Sequence, residues 1–196
     1  ALALAPNMPL EQTRRGQISA WKGCSTANAA RNAVFAALLA RRGFTGPNAI
    51  FEGKSGLWDA VGRFELKLPG QGDAFAVSRS NLKCFPICYH GQSAVWAAFD
   101  LRNKLDPADI REIRIDTYRQ AVGMMGSEPS RWAPQTRETA DHSLPYVTAV
   151  ALLDGAVESA SFAPERLSDA RIAALMAKTT VTENPAYSAA YPESAV

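Results

Sequence analysis

Lys22 is followed by a long alanine-rich, apolar segment that ends at Gly43. The apolar residues recur at helical spacing, so this segment predicts a helix with Ser25 or Thr26 as its N-cap and Gly43 as its stop. The many alanines predict a second helix packed closely against it. The apolar positions are Ala29, Ala30, Ala33, Val34, Ala37 and Leu38.

Two lysines stand alone in front of such segments. Lys22 precedes the first, and Lys83 precedes a second alanine-rich segment that begins near Gln92. A lone cation at this place is either a solvated surface charge or an anchor for an anion at the mouth of a pocket. Two of them in one chain suggest a ligand with several negative charges.

Composition limits the class of protein. Of the 196 residues, 47% are hydrophobic and 20% are charged, so a packed core is expected and disorder is not. The formal net charge of +2 is too small to indicate binding to nucleic acid or to a membrane. No apolar run is long enough to cross a bilayer.

The three cysteines are Cys24, Cys84 and Cys88. An odd number fits reduced thiols in a cytoplasmic protein better than a disulfide framework, and the spacing completes neither a zinc site nor an iron–sulfur site. No metal is therefore predicted. The chain does not begin with Met, so we expect it to start inside a longer protein or after processing.

The first half predicts helix and loop. A helix end and a loop are expected in residues 1–20, short helical or extended pieces at 57–61 and 64–66, and a loop at 70–72. A change in composition near residues 70–80 predicts a domain boundary.

The second half predicts a mixture of helices and strands. A helix begins at Gly91 or Gln92, and alternation over 113–117 predicts a half-buried strand followed by a loop. A buried helix ends at Gly155, with Pro145 in its first turn or kinking it. Ser168 or Asp169 caps the last helix, and 179–182 predict a short strand.

Several short motifs stand in a recognisable order, and together they resemble the MmgE/PrpD family, which includes 2-methylcitrate dehydratase, cis-aconitate decarboxylase and iminodisuccinate epimerase. They are Lys22-Gly23-Cys24 with Asn28-Ala29-Ala30-Arg31, Gly43-Phe44-Thr45-Gly46-Pro47, Phe51-Glu52-Gly53, Lys83-Cys84-Phe85-Pro86, Tyr89-His90-Gly91-Gln92-Ser93-Ala94, and the segment from Thr136 to Tyr146.

The resemblance implies an α+β architecture, in which an all-helical domain precedes a smaller α+β lid and the active site lies between them. Residues 1–75 correspond to the end of the helical domain segment and 76–196 to an incomplete lid. Acidic, threonine and histidine residues that the family carries on earlier helices have no counterpart here. We therefore expect an internal fragment that is inactive alone, from a cytoplasmic homodimer.

The resemblance also implies a reaction class, the cofactor-free elimination of water from a small hydroxy tricarboxylate. Decarboxylation or epimerisation of a related di- or tricarboxylate is the alternative within the family. A non-catalytic fragment that serves only in folding or dimerisation is the alternative outside it.

Six residues are candidates for the site. Matching positions in the family make Lys22 and Lys83 carboxylate clamps and catalytic cations, which would stabilise the enolate-like transition state. His90 and His142 are candidate proton carriers, with a structural histidine as the alternative for each and Asp141 as a helix cap. Tyr118 and Arg137 are candidate substrate-binding residues, although Arg137 could instead pair with Glu138 or Asp141.

Overall fold

The computed structural model describes residues 11–65, 67, 70 and 72–194. They form two compact units: those within 11–13 and 20–81 make up one, and those within 14–19 and 82–194 make up the other. The helix end expected within 1–10, and Leu66 and Gln71 of the expected pieces at 64–66 and 70–72, lie outside the described residues.

The fold is α+β, with many helices and one small sheet. Its α-helices are α1 (Trp21–Arg41), α2 (Leu57–Val61), α3 (Gln92–Arg102), α4 (Arg119–Met125), α5 (Pro129–Trp132), α6 (Arg137–Ala140), α7 (Leu144–Asp154), α8 (Pro164–Leu167), α9 (Ala170–Met176) and α10 (Pro185–Ala190). Its strands are β1 (Ile113–Thr117) and β2 (Thr179–Glu183). Short 3₁₀ helices cover Glu11–Arg14, Ala76–Arg79, Tyr89–Gly91, Pro107–Asp109 and Ser159–Phe162. Within the described residues, no helix is both long and apolar enough to cross a membrane.

Helix α1 confirms the predicted helix but not its predicted start. It begins at Trp21, and the N-cap position is occupied by Ala20, which makes no side-chain capping bond. Ser25 lies inside the helix, where its hydroxyl donates to the Trp21 carbonyl at 3.5 Å, so neither Ser25 nor Thr26 is the cap. The stop is confirmed, since Gly43 follows the last turn with a φ of +80°.

The expected burial of α1 is wrong for the described part of the chain. Ala36 is the one residue of this helix that is buried, while Val34 is 62% and Leu38 50% exposed. The alanines at 29, 30, 33 and 37 are exposed as well. Helical periodicity therefore predicted the element correctly, but the close helix partner that its small residues suggested is absent from the described residues.

The rest of this unit is a short aromatic cluster around α2. The Trp58 ring lies 6.0 Å from the Phe51 ring and 6.4 Å from the Phe64 ring, and the Arg63 guanidinium lies 5.2 Å from the Trp58 centroid. The piece predicted at 57–61 as helical or extended is helical, and these contacts involve its Trp58 side chain.

The sheet in the second unit confirms both predicted strands. Strand β1 pairs in parallel with β2, with Ile113 opposite Thr179 and Thr117 opposite Glu183. Ile115 and Thr117 are buried while the neighbouring Arg114 and Asp116 are exposed, so the alternation in the sequence matches the two faces of the strand.

Helix α7 is the centre of the core. Its residues from Leu144 to Leu152 are all buried, and α3 and α9 pack against it. Pro145 lies in the first turn and Gly155 ends the helix, as predicted. The cap is Ser143, whose side chain accepts a hydrogen bond from the Tyr146 N–H, so the expected capping role of Asp141 is wrong.

Two helices were not predicted from the sequence. The expected loop after β1 contains α4, in which Ala121 and Met125 are buried one turn apart while Gly123 obscures the pattern. Helix α10 in the tail begins with an Asn184 cap followed by Pro185, a recognisable start signal. By contrast, α9 begins after Asp169 as predicted.

The segment Arg14–Ser19 is fixed to the second unit by hydrogen bonds. Ile18 is 1% exposed, its N–H donates to Thr139 Oγ1 at 2.7 Å, and its carbonyl accepts from Thr136 Oγ1 at 2.8 Å. The Gly16 N–H donates to Glu128 Oε2 at 2.8 Å. This segment therefore contributes one buried apolar side chain and a set of paired backbone groups to the second unit.

Gly155 gives a stability prediction. Its φ of +67° is unfavourable for residues with a Cβ, and a Cβ there would lie 3.2 Å from Arg102 Cζ. We expect Gly155→Ala to lower the free energy of unfolding by about 1 kcal/mol. Gly123→Ala is the matched control: an added Cβ meets nothing within 4 Å inside α4, so stability should rise by about 0.5 kcal/mol. Urea unfolding of both variants checks this, and equal changes in the two would contradict it.

Candidate active site

The loop before α3 carries three of the residues of interest. Gln92 holds this loop in place, because its Oε1 accepts hydrogen bonds from the Cys84 and Phe85 N–H groups at 3.0 and 3.1 Å. The Cys88 N–H donates to the Asp141 carbonyl at 2.8 Å, which ties the loop to the residues just before α7. Cys88 is thereby brought beside Asp141, which lies more than fifty residues further along the chain, and the loop carries Lys83 and His90 with it.

His90 is half-buried in the 3₁₀ helix that leads into α3 and contacts the end of β1. Its Nδ1 lies 2.6 Å from the Tyr118 hydroxyl. Burial lowers the pKa of the His90 imidazole, and the nearby charges of His142 and Lys83 lower it further. The side chain is therefore predominantly neutral near pH 7, the state that a general base requires.

Tyr118 is 1% exposed and stacks on Tyr191, with the ring centroids 4.7 Å apart. Burial raises the pKa of its phenol, and Tyr191, Tyr89 and Cys88 add to the effect, so the phenol keeps its proton. When His90 donates from Nδ1 to the Tyr118 oxygen, its Nε2 is left with a free lone pair. The contact thus permits a tautomer of His90 that can accept a proton.

His142 is 6% exposed and lies directly before the N-cap of α7. Its Nδ1 is hydrogen-bonded to Asp141 Oδ1. A carboxylate on Nδ1 fixes the ring orientation and stabilises the protonated imidazolium. His90 and His142 therefore have different surroundings, one with a phenol as partner and the other with a carboxylate.

The remaining candidates lie in different places. Lys83 is exposed, and its charge acts on both Cys88 and His90. Arg137 opens α6, and its Nη2 lies 3.4 Å from Ser159 Oγ, a partner that the sequence did not suggest. Lys22 belongs to the first unit and is half-buried in the first turn of α1. Five of the six candidates thus lie in the second unit, and four of them, Lys83, His90, Tyr118 and His142, act on Cys88 or on one another.

Sequence reasoning missed three residues that shape this group. Asp141 is the partner of His142, Tyr191 covers the Tyr118 ring, and the Cys88 N–H donates to the Asp141 carbonyl. Only the adjacency of Asp141 and His142 was visible in the sequence. The contacts of Tyr191 and Cys88 join distant segments, for which a single sequence carries no local signal.

A separate groove of about 350 Å³ lies between α3, β1 and α7. It is lined mainly by aliphatic side chains, including Ala97, Leu101 and Leu152, and none of the six candidates lines it. In the described part of the chain, no three histidine, cysteine or carboxylate side chains are arranged to hold a metal ion.

Comparison with protein families agrees with this architecture. The family model described as the MmgE/PrpD C-terminal domain matches residues 85–196, and the one described as the MmgE/PrpD N-terminal domain matches residues 1–67. The chain belongs to the MmgE/PrpD family. The two matches fall on either side of the loop that carries Lys83.

Curated relatives share the same family. The chain is 29% identical over 178 residues to the 2-methylcitrate dehydratase of Salmonella typhimurium, which covers 87% of this chain and 36% of that protein. It is 29% identical over 184 residues to the 2-methylcitrate dehydratase of Cupriavidus necator, covering 89% and 37%. The Escherichia coli K12 2-methylcitrate dehydratase is 28% identical, with 87% and 36% covered. The chain thus spans about a third of the length of these relatives.

Proposed function

We propose that this chain forms part of a lyase that eliminates water from a small hydroxy tricarboxylate without a cofactor, as in 2-methylcitrate dehydratase. The observation that carries the proposal is the grouping of a neutral histidine, a histidine paired with a carboxylate, and a lysine cation in the second unit. The names of the similar proteins support the choice of substrate class. We further propose a homodimer in the cytoplasm; the free thiols of Cys24, Cys84 and Cys88 are compatible with a reducing compartment.

Each residue has a role in the proposed reaction. His90 accepts the proton next to a substrate carboxylate, because its lowered pKa keeps it neutral. Negative charge then accumulates on a group that is already anionic, and the Lys83 cation stabilises it. His142, held by Asp141, is the candidate acid that protonates the leaving hydroxyl.

Substrate binding is assigned to Lys22, Lys83, Arg137 and Tyr118. The lysines and Arg137 match carboxylates in charge, and an arginine can bind a carboxylate through two parallel hydrogen bonds. Tyr118 acts through its contact with His90, because its ring is buried. The assignment of Lys22 rests on the family motif alone.

The test is product analysis with the whole gene product that contains these residues. The enzyme is incubated with 2-methylcitrate and related hydroxy acids, and the products are identified by mass. Loss of water supports the proposal. Loss of carbon dioxide would indicate a decarboxylase instead. An unchanged mass with inverted configuration would indicate an epimerase, and no turnover of any of these acids would indicate a non-catalytic role.

The pH dependence of kcat/KM provides a prediction about His90. A base must be neutral to act, and the pKa of His90 lies below its ordinary value. The decrease of kcat/KM on the acid side should therefore lie below about pH 6.5, which is the pKa of an unperturbed histidine. Arg137→Gln serves as a control, which should change KM without moving this limb. An acid limb clearly above pH 6.5 would rule out His90 as the base.

A further inference from the structure

Tyr191 directly follows helix α10 and contacts the candidate base, although the two lie far apart in the sequence. We propose that Tyr191 is a positioning residue for His90, because its ring holds the Tyr118 phenol against the His90 imidazole. The inference rests on the proposed role of His90 as the base. It assigns no contact with the substrate to Tyr191.

The three rings form one cluster. The Tyr118 and Tyr191 rings lie 4.7 Å apart between centroids and are inclined by 14°, so they stack nearly parallel. The His90 ring lies 5.5 Å from the Tyr118 ring and 6.1 Å from the Tyr191 ring. The Tyr118 hydroxyl lies 2.6 Å from His90 Nδ1. Tyr191 therefore contacts both partners of this hydrogen bond.

Hydrogen bonds fix helix α10 beside the residue that follows Tyr118. The Ser188 hydroxyl accepts from the Arg119 N–H at 2.9 Å and donates to Glu183 Oε1 at 2.8 Å. Arg119 Nε donates to the same carboxylate oxygen at 3.2 Å. Since Tyr191 comes directly after α10, these bonds determine where its ring lies relative to Tyr118.

The stacked ring has two physical effects on the hydrogen bond. A ring packed against the face of Tyr118 restricts the movement of that side chain, and so keeps its hydroxyl at His90 Nδ1. The same ring keeps water away from the contact, which strengthens a hydrogen bond inside the protein. Without the Tyr191 ring, Tyr118 gains room to move and water gains access to the His90 imidazole.

The pKa of His90 reports on this arrangement. Burial is the largest cause that lowers it, and the charges of His142 and Lys83 lower it further. The charged and titratable groups around the imidazole are Lys83, Cys88, Tyr89, Tyr118, His142 and Tyr191. Entry of water reverses the effect of burial, so loss of the Tyr191 ring should raise the pKa of His90.

Two substitutions in the whole gene product separate the ring from its hydroxyl. Tyr191→Ala removes both, and Tyr191→Phe keeps the ring. The His90 imidazole is followed by NMR in a pH titration, and its signal is assigned as the one that His90→Gln removes. In Tyr191→Ala the pKa of His90 should rise toward about 6.5, while Tyr191→Phe leaves it as in the wild type. With substrate, kcat/KM of Tyr191→Ala should fall by about 10–10²-fold.

Tyr187→Ala is the matched control. Tyr187 is a half-buried tyrosine of the same helix, but it lines the aliphatic groove. Its removal should leave the pKa of His90 and kcat/KM unchanged. Ser188→Ala keeps the Tyr191 ring and removes the bond to the Arg119 N–H, so the pKa of His90 should rise by less than in Tyr191→Ala.

Three results would overturn the proposal. The first is a wild-type pKa of His90 in folded Tyr191→Ala, and the second is an equal rise in Tyr187→Ala. The third applies if Tyr191→Ala does not fold: it is a wild-type pKa of His90 in Ser188→Ala. The titration uses no substrate, so failure of the positioning role is distinct from failure of the proposed function. Absence of turnover by the wild-type protein would overturn only the latter.

Discussion

Lys83→Ala is expected to lower kcat of the gene product by about 10²–10³-fold, the usual effect of removing one preorganised charge from an active site. Lys83 is exposed, lies in the same loop as His90, and its charge acts on His90, the proposed base. Removing a proton next to a carboxylate adds a second negative charge to a part of the substrate that is already anionic. A fixed cation lowers the energy of that state more than the energy of the bound substrate.

The kinetic signature separates this role from simple binding. If Lys83 acts mainly in the transition state, kcat and kcat/KM fall together, whereas loss of a uniform binding contact would raise KM and leave kcat unchanged. Lys83→Arg keeps the charge but changes its shape and reach, so it should recover only part of the activity. Circular dichroism and urea unfolding should show an unchanged fold.

Lys104→Ala is the matched control. Lys104 is an exposed lysine of the same unit, just beyond the end of α3, and has no proposed role in the reaction. Its removal should leave kcat and KM as in the wild type. A wild-type kcat for Lys83→Ala, or an equal loss in both variants, would remove Lys83 from the proposed mechanism.

Elements with a strong local pattern were predictable from the sequence. Strand β1 alternates buried and exposed residues, and α7 is mostly apolar and is followed by Gly155, so composition, periodicity and a stop residue made both predictable. Helix α4 was missed because Gly123 interrupts the apolar spacing of Ala121 and Met125. The helix is nevertheless formed, because burial of those two side chains outweighs the low helix propensity of one glycine.

The candidate site was predictable only residue by residue. His90 and Tyr118 were each singled out, yet their 2.6 Å contact joins a loop to the end of a strand that no local pattern connects. Asp141 was interpreted as a cap because it precedes a helix, but Ser143 is closer to the first turn and takes that place. The Asp141 carboxylate pairs with His142 instead. The capping interpretation therefore concealed the partner of the neighbouring histidine.

Arg131 is the buried cation of the second unit, and no feature of its sequence surroundings suggested its role. It is 2% exposed. Its guanidinium donates to the carbonyls of Met124 at 3.1 Å, Gly16 at 2.8 Å and Arg14 at 3.0 Å. Burial lowers the pKa of Arg131, and the Glu128 carboxylate, 3.6 Å away, opposes that shift. One side chain thus joins α4 and α5 to the segment Arg14–Ser19.

Arg131→Met should lower the free energy of unfolding by about 3 kcal/mol, because three carbonyls lose their donor in a site that a methionine fills without replacing the hydrogen bonds. Urea unfolding measures the loss. Arg131→Lys should recover part of it, since an ammonium keeps the charge but lacks the planar fork that serves several carbonyls at once.

Arg171→Met is the comparison for Arg131→Met. Arg171 pairs with Asp169 on the surface, and its side chain is 69% exposed. Water solvates the Arg171 guanidinium, and Asp169 keeps its ion pair with Arg166 and its bond to the residue 171 N–H, so this substitution should change the unfolding midpoint far less than Arg131→Met does. Hydrogen exchange adds a local test: in Arg131→Met the Ile18 amide, which donates to Thr139, should lose protection before the amides of α7 do. Equal stability of the two variants would show that the hydrogen bonds of Arg131 contribute no more than a surface ion pair, and would leave Ile18 and Thr139 as the contacts that hold residues 14–19 in place.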